Sequence, residues 1–263
     1  MKEFIPVGIN HFAIHGNDLS GCVPDANTME SIGEGLGTIK TSPILDLKAV
    51  KKAFFDRGNI SLANALAGKL TYLGISWSGH GTHYNRPEES DGLGEALCCA
   101  NIAQLGDDWD PATIIKDTEL RDFLNKFPMT CLVELWLDTC FSGGMDRALS
   151  VANTRSNRFL HNPGNFDKLM RVASPNATMN VGLNSNIIMW CASSEAQESA
   201  DAFIGGGAHG AFTWYWVNRF KANPKATRTQ ILVDTRKGLS AAGYDQMPRL
   251  KCWPVPAQRQ VGK

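Results

Sequence analysis

Two apolar runs that each end in a glycine-rich turn constrain the fold of this chain more than any other feature. Residues 71–81 (TYLGISWSGHG) deliver His80 to a turn between two glycines, and residues 132–144 (LVELWLDTCFSGG) deliver Cys140 to a similar turn. Short apolar runs bounded by turns are typical of buried parallel strands. Because open α/β sheets carry their chemistry at the carboxyl ends of such strands, we predict that His80 and Cys140 lie side by side at one sheet edge.

The rest of the chain alternates strand-like and helix-like segments. This alternation predicts an α/β fold in which a mostly parallel sheet is covered on both faces. No clear linker divides the chain, so we predict a single domain over residues 1–263, although 263 residues would also suffice for two small domains. The predicted strands are 4–9, 38–44, 71–77, 131–137, 187–192 and an edge strand at 247–253. The predicted helices begin at Pro24 or span 47–55, 62–70, 117–127 (capped by Asp117), 211–220 and 227–239, and residues 17–25 are predicted to be a loop.

Charge and hydropathy exclude several classes of partner. The 26 basic and 26 acidic residues balance, so no basic face for nucleic acid is expected. No apolar run reaches 18 residues and the first residues lack the apolar core of a signal peptide, so neither a membrane span nor export is expected. The odd number of cysteines, seven, suits free thiols in a reducing compartment, and we predict a cytoplasmic enzyme.

A cysteine beside a histidine is the minimum set for thiolate attack on a carbonyl carbon. Cys140 follows a strand at a turn, where backbone N–H groups stabilise a thiolate, whereas Cys22, Cys131, Cys191 and Cys252 are expected to be small apolar fillers. The N–H groups of Gly81 and Cys140 could together hold an oxyanion. The remaining histidines lack an equivalent setting and are expected to be structural or solvated: His11, His15, His83, His161 and His209. These residues predict a cysteine peptidase.

Several segments taken together resemble the caspase–metacaspase clan of cysteine peptidases, and its metacaspase branch most closely. His80 and Cys140 are 60 positions apart, near the spacing of about 50 found in caspases. The caspase pentapeptide itself is absent, because Thr139 and Phe141 flank Cys140. The segments that carry the resemblance are GINHFAIHGNDLSGCVPDA, SWSGHGT, DGLGEAL, LDTCFSGG, WCASSEAQESA and GAHGAFTWYW.

The resemblance implies a three-layer α/β/α caspase-like fold with His80 as base and Cys140 as nucleophile, a dyad for which no third member is evident. It also implies cleavage after Arg or Lys, with Asp25 and Asp138 as the carboxylates of the first substrate pocket and Cys22 and Ser78 at further pocket positions. Two carboxylates would suit a guanidinium. From the residues alone, a helix cap or turn role for Asp25 and a strand-end hydrogen bond for Asp138 would be preferred.

Calcium, which many metacaspases require, is the one cofactor that the resemblance raises. Here the family's acidic motif reads Asp91-Gly92-Leu93-Gly94-Glu95, and its later acidic pair reads Lys116-Asp117. Glu95, Asp117 and Asp146 remain as candidate ligands. Because a calcium site needs several carboxylates, we predict that no cofactor is strictly required.

The segment from about 147 to 186 has weak periodicity and is predicted to be a long loop or a flexible, self-processed region. Its basic residues either keep a solvated loop soluble or offer cleavage sites: Arg147, Arg155, Arg158, Lys168 and Arg171. The expected partners are protein or peptide substrates, and the resemblance implies a monomer. Two other functions stay open, a catalytically silent caspase-like interaction module and a peptidase that prefers Asp.

Overall fold

The computed structural model describes residues 1–88, 92–140, 155–164, 182–193, 199–252 and 257–263. None of the helices in these ranges is both long and apolar enough to cross a membrane. The helices are α1 (Cys22–Gly35), α2 (Lys51–Leu66), α3 (Asp117–Leu124), α4 (Ala211–Ala222) and α5 (Arg228–Ala241). The strands are β1 (Lys2–Gly8), β2 (Ile44–Leu45), β3 (Tyr72–Ser78), β4 (Gly81–Asn85), β5 (Leu93–Cys98), β6 (Gln104–Leu105), β7 (Asp108–Trp109), β8 (Ile114–Lys116), β9 (Leu132–Asp138), β10 (Arg155–Asn157), β11 (Phe159–Leu160), β12 (Ile187–Cys191), β13 (Ala200–Ile204), β14 (Gly207–Gly210) and β15 (Arg249–Lys251).

A six-stranded sheet with the order β15-β12-β9-β3-β1-β2 forms the centre of the molecule. Every neighbouring pair in it is parallel except β12 and the edge strand β15, which are antiparallel. The predicted α/β class with a mostly parallel central sheet is therefore confirmed.

Helices cover this sheet on both faces because side chains alternate along each strand. In β9, Trp136 points into a cluster with Trp190 and Trp216, on the face covered by α1, α4 and α5. Its neighbours Leu135 and Leu137 point into the opposite cluster, where Phe54 and Phe123 of α2 and α3 pack edge to face. Both clusters are fully buried, and the sheet with its two helical layers forms the predicted three-layer arrangement.

The register of β3 and β9 positions the two glycine-rich turns. Ser78 pairs with Asp138, so the two strands end at the same level of the sheet. Gly8 of β1 also pairs with Ser78, which brings the loop after β1 to the same edge. His80 and Cys140 each lie two residues beyond the paired strand ends Ser78 and Asp138.

Two small sheets lie beside this edge, and the sequence analysis did not predict them. One has the order β11-β4-β5-β8, and its strand β4 directly follows His80. The other has the order β10-β13-β14 and pairs two strands far apart in sequence. Both are built from strands of six residues or fewer, so their periodicity was too short to recognise.

Several predicted boundaries were wrong. The two helices expected at 47–55 and 62–70 are one helix, α2, and the strand expected at 38–44 is reduced to Ile44–Leu45. The loop expected at 17–25 ends early because α1 begins at Cys22. Asp117 does not cap α3: the cap residue is Lys116, whose N–H donates to Glu119, while Asp117 accepts a hydrogen bond from Tyr84.

Candidate active site

His80 lies just beyond β3 with its two ring nitrogens in different surroundings. Its Nε2 is 2.7 Å from the carbonyl oxygen of Asn17. A carbonyl can only accept a hydrogen bond, so Nε2 carries the proton and Nδ1 keeps its lone pair. Nδ1 is buried and makes no hydrogen bond of standard geometry within the described residues, while the backbone of Arg158 lies close enough to interact with the imidazole. The Phe12 ring, 4.8 Å away between centroids, holds the imidazole from the side.

Burial lowers the pKa of His80 below the ordinary histidine value of 6.5, and its hydrogen bond to Asn17 opposes this effect. The imidazole is only 3% exposed, so its charged form would lose most of its hydration. The neutral form is therefore favoured at neutral pH, with Nδ1 as the nitrogen able to take a proton.

Cys140 lies two residues beyond β9 and is fully buried. Its N–H donates to the carbonyl oxygen of Arg158 at 3.3 Å, and the N–H of Gly81 donates to the same oxygen at 2.9 Å. The two backbone amides predicted to hold an oxyanion thus converge on one carbonyl oxygen. We call these two N–H groups the amide pair. The residues that follow Cys140, 141–154, lie outside the described ranges.

Three carboxylates surround the guanidinium of the same Arg158. Its Nη2 is 2.9 Å from Oδ2 of Asp25 and 2.9 Å from Oδ1 of Asp201. Its Nη1 is 3.2 Å from Oδ1 of Asp138 and donates to the hydroxyl of Ser78 at 2.7 Å. The Arg158 side chain is 0% exposed, so the charges meet out of contact with bulk water. We call this set of Asp25, Ser78, Asp138 and Asp201 the acidic pocket.

The acidic pocket gathers residues from four separate elements. Asp25 lies in the first turn of α1, Ser78 and Asp138 end β3 and β9, and Asp201 lies in β13. Only the strand ends are fixed by the parallel register. The small sheet β10-β13-β14 brings the fourth residue.

Neighbouring donors hold each carboxylate of the acidic pocket in place. Asp25 accepts from the Ser78 hydroxyl and the Gly210 N–H, and Asp138 accepts from Ser199 and Thr213. Asp201 accepts from the N–H groups of Ser20 and Gly21. Buried carboxylates need such partners, and they fix the direction in which the remaining oxygens point.

Gly210 is required by this packing. A Cβ added there would collide with the Asp138 carboxylate and the Arg158 guanidinium. At Gly210 the acidic pocket is therefore lined by backbone alone, and the space that a side chain would fill is occupied by the planar guanidinium.

Burial raises the pKa of Asp25, and nearby Asp138 acts in the same direction, while the positive charge of Arg158 opposes both. Without a cation in the acidic pocket, these buried negative charges would destabilise the folded protein. Burial also raises the pKa of Cys22 well above its usual range. Its thiol stays protonated, and Cys22 serves as an apolar neighbour of the acidic pocket.

The structure places the residues predicted for the site around Arg158: Cys22, Asp25, Ser78, His80, Gly81, Asp138 and Cys140. Asp25 does not cap α1, because its oxygens face Ser78, Arg158 and Gly210. Asp138 does make the strand-end hydrogen bonds considered as the alternative, with Ser199 and Thr213.

Three contributions were missed by the sequence analysis. Asp201 immediately follows the WCASSEAQESA segment, but its position in the sequence gave no indication that it would lie near the end of β9. The Asn17 carbonyl is backbone and leaves no sequence signal. His209, predicted to be structural or solvated, has its Nδ1 3.4 Å from Asp25, with its ring against Trp214. It therefore borders the acidic pocket.

Within the described part of the chain, no cluster of three or more His, Cys, Asp or Glu side chains has the geometry of a metal site. Asp117 pairs instead with Arg86 at 3.3 Å, and Glu95 lies in β5. Asp91 and Asp146 lie outside the described ranges. Independence of calcium stays a prediction.

Comparison with known proteins gives a family match over most of the chain. The family model described as "Caspase domain" matches residues 5–256. Metacaspase-1 of Coccidioides immitis is 24% identical over 95% of this chain and 61% of its own length. Metacaspase-1A of Aspergillus oryzae is 26% identical over 95% of this chain and 67% of its own length. The chain thus spans about three fifths to two thirds of the length of these relatives.

Solved structures share the fold. Protein GSU0716 from Geobacter sulfurreducens superposes with a TM-score of 0.71 at 18% identity, covering 100% of this chain and 98% of that one. The Drosophila initiator caspase Dronc superposes with a TM-score of 0.61 at 10% identity, covering 98% and 81%. At these identities the superpositions show a shared architecture and nothing about function.

Proposed function

The chain belongs to the caspase-domain family of cysteine peptidases, and on that basis we propose that it is an endopeptidase that hydrolyses peptide bonds after Arg or Lys. Cys140 is the nucleophile and His80 the base. The acidic pocket binds the side chain of the residue before the cleaved bond, and the amide pair binds its carbonyl oxygen.

One observation carries this proposal: Arg158 already occupies the acidic pocket with its side chain and the amide pair with its carbonyl oxygen. The Arg158 guanidinium meets three carboxylates and a hydroxyl, while its own carbonyl oxygen accepts from the amide pair. The side chain and the backbone of one residue therefore satisfy the groups that select a substrate and those that polarise its carbonyl. A substrate arginine would make the same contacts.

The mechanism uses groups of this chain and water. His80 takes the thiol proton at Nδ1, and Sγ of Cys140 attacks the substrate carbonyl carbon. The amide pair stabilises the negative oxygen that forms. The C–N bond then breaks as His80 gives its proton to the leaving amine. Water hydrolyses the thioester, which releases the acid and restores the thiol. The Asn17 carbonyl keeps the imidazole oriented through Nε2–H.

The charge of the acidic pocket argues against a preference for Asp. Three carboxylates face one guanidinium, so an incoming carboxylate would meet repulsion and no unpaired positive group within the described site. A silent interaction module is disfavoured because the nucleophile, base and amide pair are all present in the chain.

The test compares fluorogenic peptides that end in Arg, Lys or Asp. We expect the Arg and Lys peptides to be hydrolysed, the Asp peptide to be left intact, and Cys140→Ala to reduce turnover by at least about a thousandfold because the nucleophile is lost. Cys252→Ala is the matched control and should keep full activity, since that half-buried thiol directly follows the edge strand β15, which β12 separates from β9.

A thiol-reactive probe with an arginine-like acyl group provides a second readout. We expect peptide mapping to find the probe on Cys140. Undiminished hydrolysis by Cys140→Ala, or preferred cleavage of the Asp peptide, would contradict the proposal.

A further inference from the structure

A cleft between α5 and the edge strand β15 lies apart from the candidate active site. Its volume is about 800 Å³, within the roughly 300–1,000 Å³ that is typical of small-molecule sites. The acidic pocket is built around the ends of β3 and β9, and β12 separates β9 from β15. The mechanism proposed above uses none of the residues that line this cleft.

Three positively charged side chains line the cleft, and none of the described residues that line it is acidic. Arg249 and Lys251 are two positions apart in β15, so the alternation of side chains along a strand places both on one face. Arg236 comes from α5. Within the described residues, none of these three side chains contacts a carboxylate. We call this cavity, with its three cations, the cationic cleft.

The guanidinium of Arg236 is held in one direction by the backbone of a neighbouring segment. Its Nε donates a hydrogen bond to the carbonyl oxygen of Pro248 at 2.8 Å. Its two terminal nitrogens, Nη1 and Nη2, have no acceptor in the part of the chain that the structure describes. A guanidinium anchored in this way offers a pair of donors whose spacing matches two oxygens of a phosphate or carboxylate group.

The positive charges of the cationic cleft lie close enough to affect one another. Burial and the charge of Arg249 both lower the pKa of Arg236. Because arginine titrates far above neutral pH, the guanidinium still carries its charge. The two like charges repel each other, and an anion bound between them would relieve that repulsion.

Aliphatic side chains form the rest of the lining that matters for recognition. Ile187 of β12, Leu232 of α5 and Leu250 of β15 all reach the cleft. Leu232 and Leu250 pack at the same time against the buried tryptophan cluster, so this part of the lining is attached to the core. A site with apolar and cationic parts suits a ligand that has an organic body as well as negative charges.

We propose that the cationic cleft binds a small organic anion that carries two or more phosphate or carboxylate groups. Arg236 and Arg249 bind the anionic groups, Lys251 adds a third positive charge, and the aliphatic side chains contact the organic body. The proposal does not rest on the proposed function, because the acidic pocket is opposite in charge and lies at a different edge of the sheet.

Isothermal titration calorimetry of the full chain tests this proposal, in a buffer free of phosphate and carboxylate. The probes are fructose bisphosphate and citrate, with fructose as the uncharged control. We expect one site per chain for at least one of the two anions, no binding of fructose, and weaker binding as the salt concentration rises. The anion that binds more tightly identifies phosphate or carboxylate as the recognised group.

Substitutions in the cationic cleft locate the binding site. Arg236→Gln and Arg249→Gln should each weaken binding by at least about tenfold, the effect of losing a hydrogen bond between charged groups. Arg249 is exposed, so its replacement leaves the core undisturbed. The matched control is Lys237→Gln, which should bind like the unsubstituted chain, because Lys237 follows Arg236 in α5 but pairs with Asp234 and does not line the cleft.

Three results would overturn the proposal. The first is that neither anion saturates the chain below about 10 mM. The second is that binding survives unchanged in both Arg236→Gln and Arg249→Gln. The third is that Lys237→Gln weakens binding as much as they do, which would indicate general attraction to positive charge. Since no substrate is present in the titration, failure here leaves the proposed peptidase function untouched.

Discussion

At the scale of single residues, the state of His80 follows from its surroundings. The imidazole is held between the Asn17 carbonyl and the Phe12 ring, and it has almost no contact with water. A carbonyl partner orients the ring without adding a negative charge. The imidazolium is therefore stabilised less than it would be beside a carboxylate, and the neutral base is favoured.

The first prediction concerns the pH dependence of peptide hydrolysis. The reaction needs a neutral Nδ1, so kcat/KM falls when the pH drops through the pKa of His80 in the free enzyme. Because burial lowers this pKa, the acid-side midpoint should lie below 6.5. A pH profile of kcat/KM with an Arg-ending peptide measures it. A midpoint at or above 6.5 would mean that the imidazole is not buried in the working enzyme.

Asp201 is the third carboxylate of the acidic pocket, and it allows a prediction about specificity. A hydrogen bond to a charged group contributes about 1.5–3 kcal/mol, which corresponds to roughly tenfold to a hundredfold in kcat/KM. Asp201→Asn should lose that much activity toward an Arg-ending peptide and less toward a Lys-ending one, because the Nη2 contact requires a guanidinium.

The control for Asp201 is Asp56→Asn, since Asp56 is an exposed partner of Lys52 far from the site. It should leave both activities unchanged. An equal loss toward the Arg and Lys peptides in Asp201→Asn would indicate a general effect on the fold through the Ser20 and Gly21 amides, rather than recognition of the guanidinium.

At the scale of elements, β9 ends in Asp138 and leads directly to Cys140. A buried ion pair in the middle of the strand fixes its position. Glu134 accepts hydrogen bonds from Arg228 of α5 at 2.7 and 2.9 Å, and from Trp190 of β12 at 2.9 Å. The N–H of Gly262 reaches the same carboxylate. One side chain thus joins two strands, a helix and the carboxyl-terminal segment, and holds the strand that ends in Asp138.

We predict that Glu134→Gln lowers the free energy of unfolding by about 3–5 kcal/mol, because it removes the buried negative charge that faces the Arg228 guanidinium. Denaturant unfolding measures the change. The matched control is Asp234→Asn, which removes an exposed pair with Lys237 and should change stability by less than about 1 kcal/mol. Equal effects of the two substitutions would refute the role given to Glu134.

At the scale of the whole molecule, the sheet order interleaves the segments of the chain that precede and follow residue 158. Strand β12, which follows residue 158, lies between β15 and β9, and β9 precedes that residue. Five residue pairs join β12 to β9, from Ile187–Val133 to Cys191–Leu137. The tryptophan cluster crosses the same boundary, since Trp136 packs against Trp216.

The fourth prediction follows from that interleaving. If the chain is cut within residues 147–186, the two fragments should elute together in size-exclusion chromatography at the position of the intact chain, and separate only under denaturing conditions. The buried apolar contact between them is part of the central core, so it is not lost when one peptide bond is cut. Separate elution without denaturant would show that the core does not hold the fragments.

The sequence by itself determined the central architecture. Apolar runs of six or seven residues predicted β3, β9 and β12, of which the first two end in glycine-rich turns, and the alternation with amphipathic segments predicted a covered parallel sheet. This sheet led to the prediction that His80 and Cys140 lie at one edge, because parallel strand ends share an edge, and the strands that precede them do end at the same level, with Ser78 paired to Asp138. The resemblance to metacaspases added Asp25, Ser78 and Asp138 to the pocket, and these three lie together in the structure.

Only the tertiary structure decided what occupies that edge. Asp201, His209 and the Asn17 carbonyl reach it through contacts between segments far apart in the chain, and such contacts leave no periodic signal. Among the basic residues of the segment after Cys140, sequence offered no reason to prefer Arg158. In the structure three buried carboxylates stabilise its guanidinium, which the short strands beside the sheet bring within reach.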